Sequence, residues 1–471
     1  MEKNRRSRKV QIQALLKSAA VAALLMNSGI LHGQTAGPLV PKDIILICWD
    51  GLDRSVLREL LDKQKLPNLK SLIDEGSLQD IEVAGHVTVT KPSHAEMLTG
   101  LDTATTGVYS NAVYRPIPEG CTIFERLQSH FGGPQAIRTI FLAGKTAHVG
   151  GRSPEEIKQA MERQQKQRQK LAAVARRGQR ANPPSPRIAA GADDTLFSRE
   201  GEPFYLTRKH LDVFDAIQRE ASAAGLLCLK YLDQYKADRF FAFLHFSDPD
   251  HAGHRSGIDS QEYRQAAIED DGWLGKIKEW LQRENLSDKT LLYVTTDHGF
   301  DEHGSSHADA PHAWLATNDK KVTRGGIIAD IPATILERYG VDVKSLEPKL
   351  IGIPLEGEAP QRSLARPPIP VAKLLASLPS AEELFALLDL NRDGKITPDE
   401  FPRPRLFQRL DLNRDKTITR EEAEKVLSKR AKKSPAYPLF LLPNEVARLN
   451  APVRPEESGH FDSPASPFGH V

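Results

Sequence analysis

The chain has 471 residues, of which 39% are hydrophobic and 27% are charged, a composition typical of a soluble globular protein. This length is sufficient for one large domain and a small module. The formal net charge of +2 gives no general basis for binding nucleic acids or membranes. With only three cysteines, Cys48, Cys121 and Cys228, the sequence excludes a fold that depends on a framework of disulfides.

The N-terminus predicts an exported protein. Four basic residues lie in Asn4–Lys9, and an apolar stretch near Ala14–Leu31, interrupted by Lys17, follows them. This pattern is typical of a secretory signal peptide, and the stretch is too short and broken for a transmembrane helix. We therefore expect residues 1–35 to be a signal peptide, cleaved near Gly33–Ala36, and the protein to be secreted or periplasmic. A mitochondrial-type presequence or an uncleaved anchor is the alternative.

Short, continuous apolar runs predict strands that are buried on both faces of a parallel sheet. These runs are Ile44–Trp49, Phe240–Phe246 and Leu291–Thr296. Helical periodicity in the intervening sequence predicts helices at Ser55–Asp62, Leu211–Ala224 and Tyr263–Gln282. The alternation of strands and helices predicts an α/β fold, with a mostly parallel sheet and helices on both faces. Ligand sites in such sheets lie at the carboxyl ends of the strands.

Changes in composition predict how the chain is divided. Residues 40–356 form the main domain, and residues 153–208 are an inserted, solvent-exposed helical segment rich in Gln, Lys and Arg. We interpret that segment as a solvated surface in preference to a site for anionic substrates. Residues 357–371 are a linker, residues 372–433 a small module, and residues 434–471 a Pro-rich, partly disordered tail.

Acidic and histidine residues follow each of the three predicted strands. The motifs are W-D-G-L (Trp49–Leu52), D-P-D-H-A-G-H (Asp248–His254) and T-D-H-G (Thr296–Gly299), with His303, His307 and His312 after the last one. A site for two transition metals needs about six or seven carboxylate and imidazole ligands. Each Asp alone could be a turn residue or a helix N-cap. Together at one edge of a sheet, these side chains predict a two-metal centre.

A hydroxyl side chain, that of Thr90, lies near the start of a predicted helix in V-T-V-T-K-P-S-H-A-E-M-L-T-G (Val87–Gly100). A nearby metal would lower the pKa of the Thr90 hydroxyl, and the helix N-terminus would favour an anionic phosphate. Thr90 is therefore a candidate nucleophile. From the residue alone, a helix N-cap is an equally good interpretation.

The ordered motifs D-G, T-x-P-x-H…T-G, D-x-x-G-H and D-H-G resemble the alkaline phosphatase superfamily over roughly Asp43–Gly340. The nearest branch is the type I phosphodiesterase/nucleotide pyrophosphatase group. The resemblance implies two divalent transition metals, with Zn²⁺ expected. It implies that one metal is held by Asp50, Thr90, Asp297 and His298, and the other by Asp250, His254 and a later His.

Three histidines compete for that last position. We choose His307 because a small-residue stretch and Pro311 follow it, and the resemblance implies that the last ligand precedes a Pro-containing strand; His303 and His312 stay open. The resemblance also implies that Asn111 helps to hold a phosphoryl oxygen, and it puts Lys145 where sulfatase-like relatives have a substrate-contacting Lys.

The residue at the nucleophile position distinguishes among the relatives. Sulfatases carry Cys or Ser there, in C/S-x-P-x-R, whereas this chain has Thr90 and replaces the Arg with His94. Because Thr cannot become formylglycine, sulfatase chemistry by that route is disfavoured. The expected reaction is in-line displacement on a small phosphodiester or pyrophosphate substrate through a phospho-Thr intermediate. Hydrolysis of phosphomonoesters or sulfate esters by the same fold is the alternative.

Two segments near the C-terminus match the 12-residue calcium loop of EF-hands. The predicted ligands of the first loop are Asp389, Asn391, Asp393, Lys395 through its carbonyl, and Glu400. Those of the second loop are Asp411, Asn413, Asp415, Thr417 through its carbonyl, and Glu422. Lys416 replaces the turn Gly of the second loop, so we expect weaker calcium binding there.

The loops begin only 22 residues apart, a spacing closer to that of compact dockerin-like repeats than to usual EF-hand pairs. We therefore predict a small all-α module with a structural or protein-docking role. A calcium-binding scaffold with a degenerate hydrolase fold is the third and least favoured function. No role as a nucleic-acid scaffold is expected.

Overall fold

The structure is a computed structural model of the chain. It describes residues 41–111, 114–160, 162–163, 166–167, 201–216, 220–307, 309–361, 381, 385, 394–398, 407 and 410–425. The predicted signal peptide, most of the linker, the tail and the calcium ligands Asp389, Asn391, Asp393 and Glu400 lie outside these residues. Within them, no helix has the length and apolar character needed to cross a membrane.

An eight-stranded sheet forms the centre of the main domain. Its strands are β1 (Asp43–Trp49), β2 (Ser77–Glu82), β3 (Arg138–Ala143), β4 (Val213–Ala216), β5 (Phe240–Phe246), β6 (Thr290–Thr295), β7 (His312–Thr317) and β8 (Gly326–Ile327). They lie in the order β4-β3-β5-β1-β6-β7-β2-β8. The first five strands in this order are parallel, and β7 runs antiparallel to both of its neighbours. The predicted mostly parallel sheet is therefore confirmed.

The three strands predicted from apolar runs are adjacent, with β1 between β5 and β6. Cys48 of β1 pairs with His245 of β5 on one side and with Thr295 of β6 on the other. Every residue of β1 and β5 is buried, as expected for central strands that helices cover on both faces. Because the three strands are parallel and in register, the motifs that follow them emerge at the same edge of the sheet.

Helices cover both faces of the sheet. In chain order they are α1 (Arg54–Asp62), α2 (Pro67–Glu75), α3 (Thr90–Thr99), α4 (Thr103–Thr106), α5 (Ile123–Phe131), α6 (Thr146–Val149), α7 (Tyr205–Arg208), α8 (Ala221–Tyr235), α9 (Asp248–Ser256), α10 (Gln261–Arg283) and α11 (Asp330–Arg338). Apolar residues of α1, α2, α8 and α10 form one hydrophobic core with the sheet, and those of α3, α5 and α11 form a second core. The three layers confirm the predicted fold class.

The predicted helix at Leu211–Ala224 is wrong. Val213–Ala216 form the edge strand β4, which pairs with β3, and the helix begins only at Ala221. The ring of Phe214 stacks on that of Phe141 in β3, with centroids 4.7 Å apart. Pairing and ring packing against β3 thus outweigh the local helical periodicity. In the inserted segment, the described residues 154–160 are helical. The expectation that the segment is solvent-exposed does not hold at its C-terminal end, where Glu202, Phe204 and Thr207 are buried and Phe204 packs in the second core.

The small module contains one pair of short antiparallel strands, β9 (Lys395–Ile396) and β10 (Ile418–Thr419). Ile396 and Ile418, the eighth positions of the two calcium loops, pair with each other and are fully buried. The backbone therefore couples the two loops directly. In the second loop, Lys416 adopts a φ of 67°, the conformation that its place in the loop predicts.

Candidate active site

Backbone hydrogen bonds fasten the loops after β1, β5 and β6 to one another. The Gly51 N–H donates to Asp297 Oδ1 at 3.0 Å, and the Leu52 N–H donates to Thr296 Oγ1 at 3.0 Å. The Asp250 N–H donates to the Asp50 carbonyl at 3.0 Å. Gly51 has a φ of 67°, and a Cβ there would lie 2.9 Å from the Phe300 ring. Only Gly fits this turn, so the three acidic loops are held in one arrangement.

Thr90 is the first residue of α3, and Val89 occupies the N-cap position. The Thr90 hydroxyl is therefore not the N-cap, which was the alternative interpretation of this residue. Its Oγ1 lies 3.5 Å from His298 Nε2 and 3.2 Å from Lys145 Nζ. The side chain thus faces the acidic loops from the N-terminal end of the helix.

A first cluster of donor atoms surrounds His298. Its Nε2 lies 3.6 Å from Asp50 Oδ1, 3.5 Å from Asp297 Oδ2 and 3.5 Å from Thr90 Oγ1. His298 Nδ1 is 2.9 Å from the Gly299 carbonyl, which can only accept, so Nδ1 carries the proton and Nε2 a lone pair. Asp50 Oδ1 and Asp297 Oδ2 are buried without a hydrogen-bond partner among the described residues.

A second cluster joins Asp250, His254 and His307. Asp250 Oδ1, which has no hydrogen-bond partner in the described part of the chain, lies 3.3 Å from His254 Nε2 and 3.8 Å from His307 Nε2. The Nδ1 atoms of the two histidines face the carbonyls of Ser305 and Thr88, so both Nε2 atoms carry lone pairs. These lone pairs face each other at 3.1 Å, an arrangement that a cation between them would stabilise. Burial also lowers the pKa of His307 to about 3, which keeps its ring neutral.

Both clusters fit divalent metals. Zinc bonds of about 2.0–2.2 Å in tetrahedral geometry separate neighbouring ligand atoms by roughly 3.3–3.6 Å. The facing atoms here are 3.1–3.8 Å apart, and their free carboxylate oxygens and imidazole lone pairs are the donors that such metals need. Ligand atoms of Asp50, Asp250 and His298 also lie within 4.8 Å of one another, so the two clusters are neighbours.

Lys145, expected only as a substrate contact, lies between the two clusters. Its Nζ is 3.0 Å from Asp50 Oδ2 and 2.7 Å from Asp250 Oδ2, and the side chain is buried. Each carboxylate therefore gives its second oxygen to Lys145 and leaves its first oxygen for a cluster. Burial alone would raise the pKa of Asp50, but the Lys145 ammonium holds that pKa well below its usual range.

Asn111 contacts the residue that follows the candidate nucleophile. Its Oδ1 accepts a hydrogen bond of 2.9 Å from the Lys91 N–H. Since this bond fixes the carbonyl side of the amide, the NH₂ group is the remaining donor at that position. The arrangement suits the expected role of Asn111 as a donor to a phosphoryl oxygen.

The structure separates the three competing histidines. His303 is exposed and faces Asp259, with Nδ1 2.9 Å from Oδ2. His312 lies in β7 and faces Glu82, with Nδ1 3.0 Å from Oε2. Only His307 of the three reaches the second cluster. Thr88 holds its segment, because the Thr88 hydroxyl donates to the His307 carbonyl at 2.6 Å.

Three residues that support these clusters were not predicted from the sequence. They are Thr88, His245, whose Nε2 is 2.8 Å from Asp50 Oδ2, and Phe300, whose ring packs edge-on against His254 and His307. Only His245 carries a visible signal, as the single ionisable residue in F-F-A-F-L-H-F. A buried polar side chain in an apolar strand needs a partner.

In the second calcium loop, the carboxylates of the first and last predicted ligands accept hydrogen bonds from backbone N–H groups of the loop. Glu422 Oε1 accepts from the N–H groups of Leu412 and Asn413, and Oε2 accepts from the Thr419 N–H. Asp411 accepts from the N–H groups of Asp415 and Lys416. Lys395 is the one predicted ligand of the first loop within the described residues, and it lies in β9.

Two family models match the chain. The model of the type I phosphodiesterase/nucleotide pyrophosphatase family matches residues 44–353, and an EF-hand model matches residues 381–403. Among curated proteins, the chain is similar to ectonucleotide pyrophosphatase/phosphodiesterase family member 7 of Homo sapiens, with 39% identity over 56 residues, or 12% of each chain. The Mus musculus protein of the same name is 38% identical over 56 residues, 12% of this chain and 13% of the relative. The matched segment therefore spans only about an eighth of the length of these relatives.

Solved structures are more distantly similar. The crystal structure of Ps i-CgsB has 17% identity and a TM-score of 0.42, covering 66% of this chain and 75% of that one. The alkaline phosphatase from the Antarctic bacterium TAB5 has 16% identity and a TM-score of 0.39, covering 64% and 99%. The phosphonate monoester hydrolase SpPMH from Silicibacter pomeroyi has 16% identity and a TM-score of 0.40, covering 68% and 78%.

Proposed function

Because this chain belongs to the type I phosphodiesterase/nucleotide pyrophosphatase family, and is thus a hydrolase of phosphoester bonds, we propose that it cleaves phosphodiester or pyrophosphate bonds in small substrates with Thr90 as nucleophile. One observation carries the proposal. The Thr90 hydroxyl, at the N-terminus of α3, faces two neighbouring clusters of carboxylate oxygens and imidazole lone pairs.

Two divalent metals complete the proposed site. Asp50, Thr90, Asp297 and His298 would hold one of them, and Asp250, His254 and His307 the other. When bound, such metals lower the pKa of a hydroxyl group and neutralise phosphoryl oxygens. Carboxylate and imidazole donors suit Zn²⁺, which we expect, and also Mn²⁺ and Fe²⁺.

The residues of the chain have separate roles in the proposed reaction. Thr90 Oγ1 attacks phosphorus in line with the leaving group, so a bond from Oγ1 to phosphorus forms as the ester or anhydride bond breaks. Overall, the proton of the hydroxyl passes to the departing alcohol or phosphate. The Asn111 NH₂ group and the N-terminus of α3 bind the phosphoryl oxygens, on which negative charge develops. Water then attacks the same phosphorus, the bond between phosphorus and Thr90 Oγ1 breaks, and Oγ1 regains a proton while the product leaves as a phosphomonoester.

Substitution of the nucleophile tests this function directly. We expect Thr90→Ala to lower turnover of an aryl phosphodiester by at least about 10³-fold, because no attacking oxygen remains. The six carboxylate and imidazole ligands stay in place, so metal analysis should still detect bound metal; they are Asp50, Asp250, His254, Asp297, His298 and His307. Thr90→Ser is the matched control and should keep measurable turnover. Unchanged turnover in Thr90→Ala would contradict the proposal.

A second candidate reaction is the hydrolysis of phosphomonoesters, and the position of Lys145 favours it. An ammonium group 3.2 Å from the Thr90 hydroxyl adds positive charge where a dianionic phosphoryl group would bind. Matched aryl monoesters and diesters separate the two reactions by the ratio of their kcat/KM values. If monoester cleavage is the native reaction, Lys145→Gln should lower kcat/KM for the monoester much more than for the diester. Equal losses would contradict a preference that depends on Lys145.

We also propose that the protein is exported and that its EF-hand loops bind calcium for a structural or docking role. The N-terminal sequence pattern and the EF-hand match support these proposals. N-terminal sequencing of the protein from the periplasmic or culture fraction of an expressing cell tests export. A new N-terminus near Gly33–Ala36 is the expected result, and an intact Met1 in the cytosolic fraction would contradict it.

A further inference from the structure

His245 differs from the histidines of the two clusters in the position of its proton. The side chain is fully buried in β5, and its Nε2 lies 2.8 Å from Asp50 Oδ2. A carboxylate can only accept, so Nε2 of His245 carries the proton. Nδ1 receives the Gly144 N–H at 3.3 Å and therefore carries the lone pair. His254, His298 and His307 have the opposite tautomer, with Nε2 free to bind a cation.

Because of this hydrogen bond, the two oxygens of Asp50 have different surroundings. Oδ2 accepts from both His245, at 2.8 Å, and Lys145, at 3.0 Å. Oδ1 has no hydrogen-bond partner within the described residues and faces His298. A carboxylate with one oxygen already satisfied has only the other to offer to a metal.

We infer that His245 is a positioning residue that orients Asp50 to bind the metal through Oδ1 alone. The inference rests on the metal centre of the proposed function. A one-oxygen Asp50 completes a set of four ligand atoms with Thr90, Asp297 and His298, the number that a tetrahedral site takes. Hydrogen-bond donors behind metal ligands usually fix the orientation of those ligands in this way.

The backbone explains why His245 can reach Asp50. His245 pairs with Cys48 of β1, two residues before Asp50, and side chains in a strand alternate between the faces of the sheet. His245 thus points to the same face as Phe241 and Phe243, which belong to the core beneath α3. The ring of His94 packs edge-on against it, with centroids 4.8 Å apart. This packing limits rotation of the imidazole.

Two substitutions of equal length test the role of the donor. Gln can place an N–H near the position of His245 Nε2, whereas Met has a similar shape and no donor. The affinity for Zn²⁺ would be measured by competition with a chromophoric chelator in a His254→Ala background. This background keeps intact only the first cluster, that of Asp50, Asp297 and His298, called the Asp50 cluster below. We expect His245→Met to weaken binding by about 10–100-fold, and His245→Gln to recover most of the affinity.

A second background serves as the internal control. A His298→Ala protein keeps intact only the second cluster, that of Asp250, His254 and His307, called the Asp250 cluster below. In this protein, neither substitution at position 245 should change the affinity for Zn²⁺. Circular dichroism would verify that each variant folds, and His245→Phe provides a second donor-free variant if His245→Met does not fold.

Three results would overturn the inference: unchanged affinity in His245→Met, an equal loss in His245→Gln, or an equal loss in both backgrounds. A wild-type protein that binds no transition metal would instead overturn the proposed function, and the inference with it. The two failures are therefore distinguishable from one another.

Discussion

At the level of single side chains, the buried carboxylates at the two ends of β1 have pKa values that are shifted in opposite directions. At the carboxyl end, Lys145 and His245 offset the burial of Asp50. At the amino end, Asp43 accepts one bond from the Phe240 N–H, while its Oδ2 has no hydrogen-bond partner among the described residues. Burial therefore raises the pKa of Asp43 to about 7. A raised pKa of an acid means that its charged form destabilises the folded state.

The pH dependence of stability follows from this sign. Below pH 3.8, the pKa of Asp43 in the unfolded chain, Asp43 is protonated in both states and does not lower the free energy of unfolding. Above that pH, Asp43 lowers the free energy of unfolding increasingly until the pH passes its folded pKa of about 7. Asp43→Asn removes the charge and keeps an acceptor for Phe240. We expect the variant to be more stable at pH 8 by up to about 4 kcal/mol, with a much smaller gain at pH 5.

Thermal unfolding of both proteins at the two pH values measures this difference. The midpoint of the variant should rise above that of the wild type by several degrees at pH 8. The wild-type protein at each pH is the control. A gain that is the same at pH 5 and pH 8 would contradict the raised pKa of Asp43.

The site residues that could be predicted from the sequence are those that directly follow a predicted strand, as part of a recognisable motif. Asp50, Asp250 and Asp297 each follow an apolar strand, and the structure brings all three together. His245 has no such spacing. A lone His in an apolar strand fits a satisfied core residue as well as a partner of Asp50, and only the pairing of β5 with β1 decides between them.

At the level of helices, two glycines allow a matched test of how closely α9, which contains Asp250 and His254, packs against Phe300. A Cβ on Gly253 of α9 would lie 2.5 Å from Phe300 Cζ, whereas one on Gly272 of α10 would meet nothing within 4 Å in the described part of the chain. We expect Gly253→Ala to destabilise the protein by roughly 1–3 kcal/mol through overpacking. Gly272→Ala should stabilise it by about 0.5–1 kcal/mol, because Ala favours a helix more than Gly does.

Thermal midpoints and metal affinity check the pair. Phe300 packs against His254 and His307, so Gly253→Ala should also weaken metal binding at the Asp250 cluster. Gly272→Ala should leave metal binding unchanged. Shifts of the same sign in both midpoints would show that Phe300 does not pack tightly against α9.

Elements with a strong local pattern were predicted well, and those defined by their neighbours were not. The apolar runs of β1, β5 and β6 are buried on both faces, which leaves few alternatives for their structure. β4 has only four residues and depends on β3 for its pairing. The antiparallel direction of β7 likewise depends on how the chain returns to β6, and no local periodicity encodes it.

At the level of the whole molecule, we expect the transition metals and the calcium to have separate roles, because their predicted ligand sets share no residue. We expect 1,10-phenanthroline, which prefers transition metals, to abolish phosphodiester turnover. Adding calcium to calcium-depleted protein at constant free Zn²⁺ should change thermal stability and leave turnover nearly constant. Turnover that requires calcium under these conditions would contradict the separation and would assign the EF-hand module a part in catalysis.

The position of β1 in the sheet has a further consequence for how the chain is made. Ile44 pairs with Phe241 and Leu291, partners that follow it by 197 and 247 residues. At a synthesis rate of about 5–20 residues per second, β1 waits at least about 10 s before either partner exists. During that interval a strand that is apolar from Ile44 to Trp49 has both edges open, which favours aggregation. Chains truncated before β5 should therefore be insoluble, and we expect production of the full chain to improve when a chaperone covers β1 until its partners have been made.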